Sequence, residues 1–172
     1  MIDTLCRLLD AGVTQFHVVK KCEDILLDHD YRKLDIGERW ELMAGGRYYV
    51  KPYPIGEVPE YGRLNIGLAH TDFPMLKIKT QPDMNRCGYQ TLNVEPYGGL
   101  IKETWFDRPL GIAGKVVVQT EDSFRPRTYL YDSERAMCIV PSLAPHLRKE
   151  TTGDKMNVQK ELIPVYGLNG QN

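Results

Sequence analysis

The stretch Leu64-Asn65-Ile66-Gly67-Leu68-Ala69-His70-Thr71-Asp72-Phe73-Pro74 decides how we interpret this chain. An apolar run leads into a His-x-Asp sequence, and Pro74 then interrupts regular strand pairing. The pattern is typical of a buried parallel strand, whose C-terminal end carries the chemistry in open α/β sheets. His70 can give a metal ion one imidazole nitrogen, and Asp72 can orient that ring or bind the metal itself. Because a lone His-x-Asp also occurs by chance, the rest of the chain has to decide between these interpretations.

The composition is that of an ordinary globular protein. The chain has 172 residues, of which 42% are apolar, and its 22 basic and 23 acidic residues give a formal net charge of -1. This length suits one domain or two small ones that share an interface. No basic stripe indicates nucleic-acid binding. No apolar run is long enough to span a membrane, and no signal-peptide pattern is present, so we expect a cytoplasmic protein without a membrane partner.

The spacing of the four cysteines bears on the compartment in which the protein resides. Cys6, Cys22, Cys87 and Cys138 lie far apart, and none forms a Cys-x-x-Cys pair. Their spacing is not that of a zinc knuckle or a disulfide framework. We interpret them as free thiols in a reducing compartment.

The N-terminal part of the chain predicts helices followed by a strand. Leu5, Leu8 and Leu9 recur at helical spacing, and Gly12 is a typical helix end. Thr14 predicts the N-cap of a second, amphipathic helix that ends near residues 29–30. Residues 47–50, Arg-Tyr-Tyr-Val, predict a strand.

Strands and turns dominate the rest of the chain. The strand candidates are residues 75–79, which alternate apolar and basic side chains, 90–95, 110–120 and 128–131. We therefore predict an α/β segment over residues 1–80 and a β-rich segment over 81–172, with the boundary within 75–88. The polar composition from Arg148 onward predicts a loop.

Several blocks, taken together and in order, resemble the N-terminal portion of the M18 family of aspartyl aminopeptidases. The resemblance covers about residues 4–165, and the blocks that carry it are Phe16–Val19, Trp40–Leu42, Gly45–Val50, Ala69–Pro74, Val94–Gly99, Thr104–Leu110, Ile112–Val116 and Ile139–Leu147.

This resemblance implies both a fold and a function. The fold would be α/β, with part of a zinc-exopeptidase-like catalytic domain followed by a β-rich inserted dimerisation domain. The function would be that of a cytoplasmic metallo-aminopeptidase that removes N-terminal Asp or Glu from peptides with two zinc ions. The family also implies a homo-oligomer, in which dimers build a dodecamer.

The resemblance assigns roles to three side chains. His70 matches a metal ligand, and Asp72 matches the catalytic aspartate that orients that ligand. His146 matches a catalytic histidine that reaches into the active site of a neighbouring subunit. In an isolated monomer His146 would instead be a packed surface histidine. For His17, near the start of the second predicted helix, a helix-terminal or packing role is favoured over a ligand role.

The chain departs from the family pattern in one respect that bears on activity. The family's other metal ligands and its catalytic Glu-Glu pair match no residues here, and no Glu-Glu pair occurs in the 172 residues. One histidine cannot hold two zinc ions, because each prefers about four ligands. We therefore expect this chain to be the N-terminal portion of such an enzyme, inactive alone. The alternative is a non-catalytic remnant that serves as an assembly or interaction module.

Overall fold

The structure, a computed structural model, describes residues 2–51, 56–57, 69–122, 124–147 and 156–170. The chain divides into two compact units, Met1–Asp72 and Phe73–Asn172. This division precedes the interval 75–88 in which the sequence placed the boundary. The reason is that Met75–Arg86 forms one continuous strand that pairs within the second unit. No helix in the described ranges has the length and apolar character needed to cross a membrane.

The first unit begins with two helices, as predicted. Helix α1 spans Ile2–Ala11 and helix α2 spans Gln15–Asp28. Thr14 is the N-cap of α2, because its backbone is extended and its hydroxyl oxygen accepts a hydrogen bond from the backbone N–H of His17. His29 caps the C-terminal end of α2.

Three short strands form the sheet of the first unit. They are β1 (Arg32–Leu34), β2 (Arg47–Val50) and β3 (Gly56–Glu57). Strand β2 lies in the middle, parallel to β1 and antiparallel to β3. Leu34, Tyr48 and Val50 are buried together and form its apolar core. The strand predicted to lead into His70 falls mainly on residues 64–68, which lie outside the described residues.

The second unit consists mainly of strands. They are β4 (Met75–Arg86), β5 (Tyr89–Tyr97), β6 (Pro109–Leu110), β7 (Ala113–Val118), β8 (Arg127–Asp132), β9 (Cys138–Ile139) and β10 (Val165–Leu168). Five of them form a sheet in the order β4-β5-β10-β9-β6, and all of its pairings are antiparallel. Strands β7 and β8 form a separate two-stranded sheet.

The C-terminal segment contains regular structure, contrary to the prediction from its sequence. We predicted a loop from Arg148 onward, but residues 158–161 form a short helix, α3, and β10 follows it in the sheet. Leu162, between them, is completely buried. The backbone N–H of Leu92 donates a hydrogen bond of 2.9 Å to the carbonyl of Pro164. A four-residue strand is too short to show a clear period in the sequence, so this element was missed.

The burial of Leu162 predicts that Leu162→Ala lowers the free energy of unfolding by about 2–5 kcal/mol, because the truncation leaves a cavity. Urea unfolding followed by circular dichroism would measure the loss. Leu168→Ala is the matched control, since Leu168 is exposed in β10 and its truncation should cost far less. Equal losses for the two variants would contradict the buried position of Leu162.

Candidate active-site residues

His70 and Asp72 lie against each other at the end of the first unit. The Nδ1 atom of His70 is 2.7 Å from the main-chain carbonyl oxygen of Asp72 and 3.0 Å from its carboxylate Oδ1. The side chain of His70 is 84% exposed and that of Asp72 is 41% exposed. Two oxygens of one residue therefore hold the same imidazole nitrogen, and the ring remains open to a ligand.

This contact has a chemical consequence for the imidazole. When Nδ1 carries the hydrogen and donates it to Asp72, the neutral ring keeps its free lone pair on Nε2. Carboxylates and backbone carbonyls commonly orient metal-binding histidines in this way. The local geometry thus fits one histidine–metal bond, made through Nε2.

A complete metal centre needs more donors than this pair. Within the ranges that the structure describes, no three His, Cys, Asp or Glu side chains converge in a way that could hold a metal ion. The described residues therefore fit a single ligand position with its orienting partner, and they do not fit a closed zinc site.

His146 lies in the second unit and is exposed. It belongs to the short 3₁₀ helix Pro145–Leu147. The segment that leads to it is anchored by Asp107, whose carboxylate accepts a hydrogen bond of 2.9 Å from the backbone N–H of Ser142. The N–H of Asp107 in turn donates to the carbonyl of Val140, also at 2.9 Å. These two hydrogen bonds tie Asp107 to the segment that leads to His146.

The other two histidines have local partners. His17 Nδ1 is 2.8 Å from the hydroxyl of Thr14, and His29 Nδ1 is 2.8 Å from the carbonyl of Ile25. Both contacts lie at the ends of α2. They agree with the helix-terminal role that the sequence favoured for His17.

A charged cluster centred on Glu23 is not apparent from the sequence. This carboxylate, with its side chain only 12% exposed, accepts hydrogen bonds from Lys33 at 2.8 Å, Tyr49 at 3.2 Å and Lys51 at 3.3 Å. The hydrogen bond from Lys33 lowers the pKa of Glu23, and the same bond raises the pKa of Lys33. Burial, reinforced by the charge of Glu23, raises the pKa of Tyr49. The cluster joins α2 to β1 through Lys33 and to β2 and the residue after it through Tyr49 and Lys51.

Comparison with known proteins identifies the family to which this mixed α/β chain belongs. Residues 8–172 match the model of the M18 peptidase family, described as aminopeptidase I zinc metalloprotease. The chain therefore belongs to the M18 family of aminopeptidases.

Individual relatives agree with this assignment. A probable M18 family aminopeptidase 2 from Azotobacter vinelandii is 36% identical over 170 residues, which cover 94% of this chain and 39% of the relative. A cryo-EM structure of an Ape4 and Nbr1 complex has a TM-score of 0.82 and 28% identity, over 96% of this chain and 33% of that one. The mApe1 dodecamer from S. cerevisiae, at 18% identity and a TM-score of 0.67, shares the fold over 99% of this chain and 38% of that one. The chain thus spans about two fifths of the curated relatives it matches.

The Glu23 cluster predicts a stability that depends on pH. Because the pKa of Glu23 is lowered in the folded state, its contribution is present above the ordinary glutamate pKa of about 4 and is lost as the pH falls below it. We expect Glu23→Gln to lower the free energy of unfolding by about 1 kcal/mol at pH 7, since its lysine partners are half exposed. The loss should shrink towards pH 3.

Urea unfolding at pH 7 and at acidic pH would measure this difference. Asp24→Asn is the matched control, because Asp24 neighbours Glu23 on α2 but pairs with Lys20 at an exposed position. Its effect should stay below about 0.5 kcal/mol. A loss for Glu23→Gln that is the same at both pH values would show that the carboxylate charge is not its cause.

Proposed function

We propose that this chain is part of a metallo-aminopeptidase that removes acidic N-terminal residues from peptides with a dinuclear zinc site. The single observation that carries the proposal is the His70–Asp72 pair, in which Nδ1 lies 2.7 Å from the carbonyl oxygen of Asp72. Membership of an aminopeptidase family supports the reaction class. The acidic preference and the two metals are what the resemblance of the sequence blocks implies.

His70 and Asp72 have separate roles in this proposal. His70 gives one nitrogen to the metal site, and Asp72 fixes the tautomer and the orientation of that ring. When bound, zinc would polarise the scissile carbonyl of the substrate and activate a water molecule for peptide hydrolysis. The remaining ligands and the general base would come from outside the described residues.

The second unit has an assembly role in the proposal, and the first unit is part of the catalytic domain. The β-rich unit would be the dimerisation domain of a homo-oligomer in the cytoplasm. The related mApe1 structure is that of a dodecamer, which supports assembly from copies of one chain. His146 would then reach the active site of a neighbouring subunit, where its exposed position leaves it available for contact.

A second candidate function is a non-catalytic assembly or interaction module. The observation that favours it is that the described ranges bring together no group of three potential metal ligands. Intact mass and zinc content, measured on the same purified sample, separate the two functions. A species heavier than the 19.7-kDa chain, with about two zinc ions per protomer and aminopeptidase activity, supports the enzyme. A single zinc-free 19.7-kDa chain with no companion fragment and no activity supports the module.

The enzyme proposal predicts that, in a complete enzyme that contains this chain, His70→Ala abolishes cleavage of peptides with N-terminal Asp or Glu and strongly weakens zinc binding, because a ligand nitrogen is lost. Asp72→Ala should weaken zinc binding by about 10- to 100-fold, as loss of an orienting partner does. Zinc titration against a competing chelator would measure both. His29→Ala, which alters a helix cap, is the control and should bind zinc normally. Normal zinc content and turnover in His70→Ala would refute the role of His70.

The proposed role of His146 predicts a loss of turnover without a loss of zinc. In the same complete enzyme, His146→Phe should reduce kcat while the zinc content stays intact, because this residue would contact the reacting group and not hold the metal. Steady-state kinetics and metal analysis of the same preparation would test this. An unchanged kcat would exclude His146 from the reaction.

A further inference from the structure

The turn that follows strand β10 contains a chemically labile pair of residues. Asn169 and Gly170 form this turn, and both are exposed. The sequence contains an Asn-Gly pair at this position alone. Asparagine is thermolabile in proteins, because its side-chain amide is open to attack by the main chain. Glycine is the following residue that hinders this attack least, since it has no Cβ atom.

The surroundings of Gly170 are open. Its φ of +87° lies in the left-handed region that favours glycine. A Cβ atom added to Gly170 would meet no atom of the described residues within 4 Å, its chain neighbours aside. The main-chain nitrogen of Gly170 therefore lies where both base and water have access to it.

The two groups that would react are not held by other contacts. In the described part of the chain, neither the side-chain amide of Asn169 nor the N–H of Gly170 has a hydrogen-bond partner. The N–H of Asn169 itself donates to the carbonyl of Gly88 at 2.9 Å, which anchors the main chain up to this residue. The amide can thus rotate towards the nitrogen of Gly170. Reacting groups that reach such a geometry within one molecule gain a large rate advantage.

The other three asparagines that the structure describes are in protected positions. Asn85 and Asn93 lie within the paired strands β4 and β5. The side-chain Nδ2 of Asn93 also donates to the carbonyl of Gln81 at 3.2 Å. Asn157 is the N-cap of α3. Each of the three is followed by a residue with a bulky side chain. They are therefore internal controls for Asn169.

We propose that Asn169 is a site of spontaneous deamidation in the folded protein, through a cyclic imide formed with Gly170. The main-chain nitrogen of Gly170 attacks Cγ of Asn169. The new C–N bond replaces the bond from Cγ to the side-chain nitrogen, which leaves as ammonia with the proton of the Gly170 N–H. Water then opens the imide at one of its two carbonyls.

The position at which water adds decides the product. Addition at the side-chain carbonyl gives aspartate, and addition at the main-chain carbonyl gives isoaspartate, in which the main chain runs through the former side chain. No electrons are exchanged, and water is the co-reactant. Either product adds one negative charge to a chain whose formal net charge is -1. The proposal concerns the turn after β10, so the zinc experiments neither support nor contradict it.

Incubation of the purified protein at mildly alkaline pH, followed by peptide mapping with mass spectrometry, would test the proposal. Asn169 should deamidate about tenfold faster or more than Asn85, Asn93 and Asn157 in the same sample. An endoprotease that cleaves before aspartate but not before isoaspartate separates the two products. Similar rates at all four asparagines would overturn the proposal, and so would conversion to aspartate alone, which indicates direct hydrolysis without the imide.

Two further comparisons test the part played by the folded turn. The rate at Asn169 in the folded protein should lie within about threefold of the rate in urea-unfolded protein, because the turn is open. A much slower rate in the folded protein would contradict this. Asn169→Gln keeps an uncharged amide but must close a larger ring, so the acidic species seen by ion-exchange chromatography should disappear. Acidic species that persist unchanged in this variant would overturn the assignment to Asn169.

Discussion

The insertion of β10 between β5 and β9 is the pairing on which the second unit depends. Val165 pairs with Thr91 on one side and with Ile139 on the other, so one residue joins both halves of the sheet. Without this strand, β4 and β5 would form one hairpin and β6 and β9 a separate pair. The buried Leu162 and the hydrogen bond between Leu92 and Pro164 fix the approach of the chain to this position.

The same pairing bears on the segment that carries His146. Strand β9 continues directly into Val140, which is completely buried and accepts the hydrogen bond from Asp107. The position of Ser142, and of the short helix after it, therefore follows from the register at the sheet edge and from Asp107. His70 has a different support, because its partner Asp72 lies two residues away on the same segment. The position of His146 thus depends on long-range packing, whereas the orientation of His70 depends on local backbone geometry.

This difference explains how much of the fold and of the candidate site the sequence could predict. The Thr14 cap, both N-terminal helices and strands at 47–50 and 128–131 follow from short-range patterns, and the structure contains them. Strand β10 and the Glu23 cluster were missed because their partners lie far away in the sequence, where periodicity gives no information. The contact between His70 and Asp72 could be anticipated from their spacing. Their assignment to a metal site came from the resemblance to the M18 family.

In the proposed metal site, the local origin of the His70–Asp72 contact would lower the entropic cost of metal binding. An exposed histidine normally samples several rotamers, and a metal must select one of them at a cost in conformational entropy. Here two oxygens of Asp72 restrain the imidazole through a loop of only three residues, so much of that freedom is already lost in the folded chain. A ligand that is ordered in advance loses less free energy when it binds. Small shifts of the surrounding elements should also move the ring and its partner together, which preserves their mutual orientation.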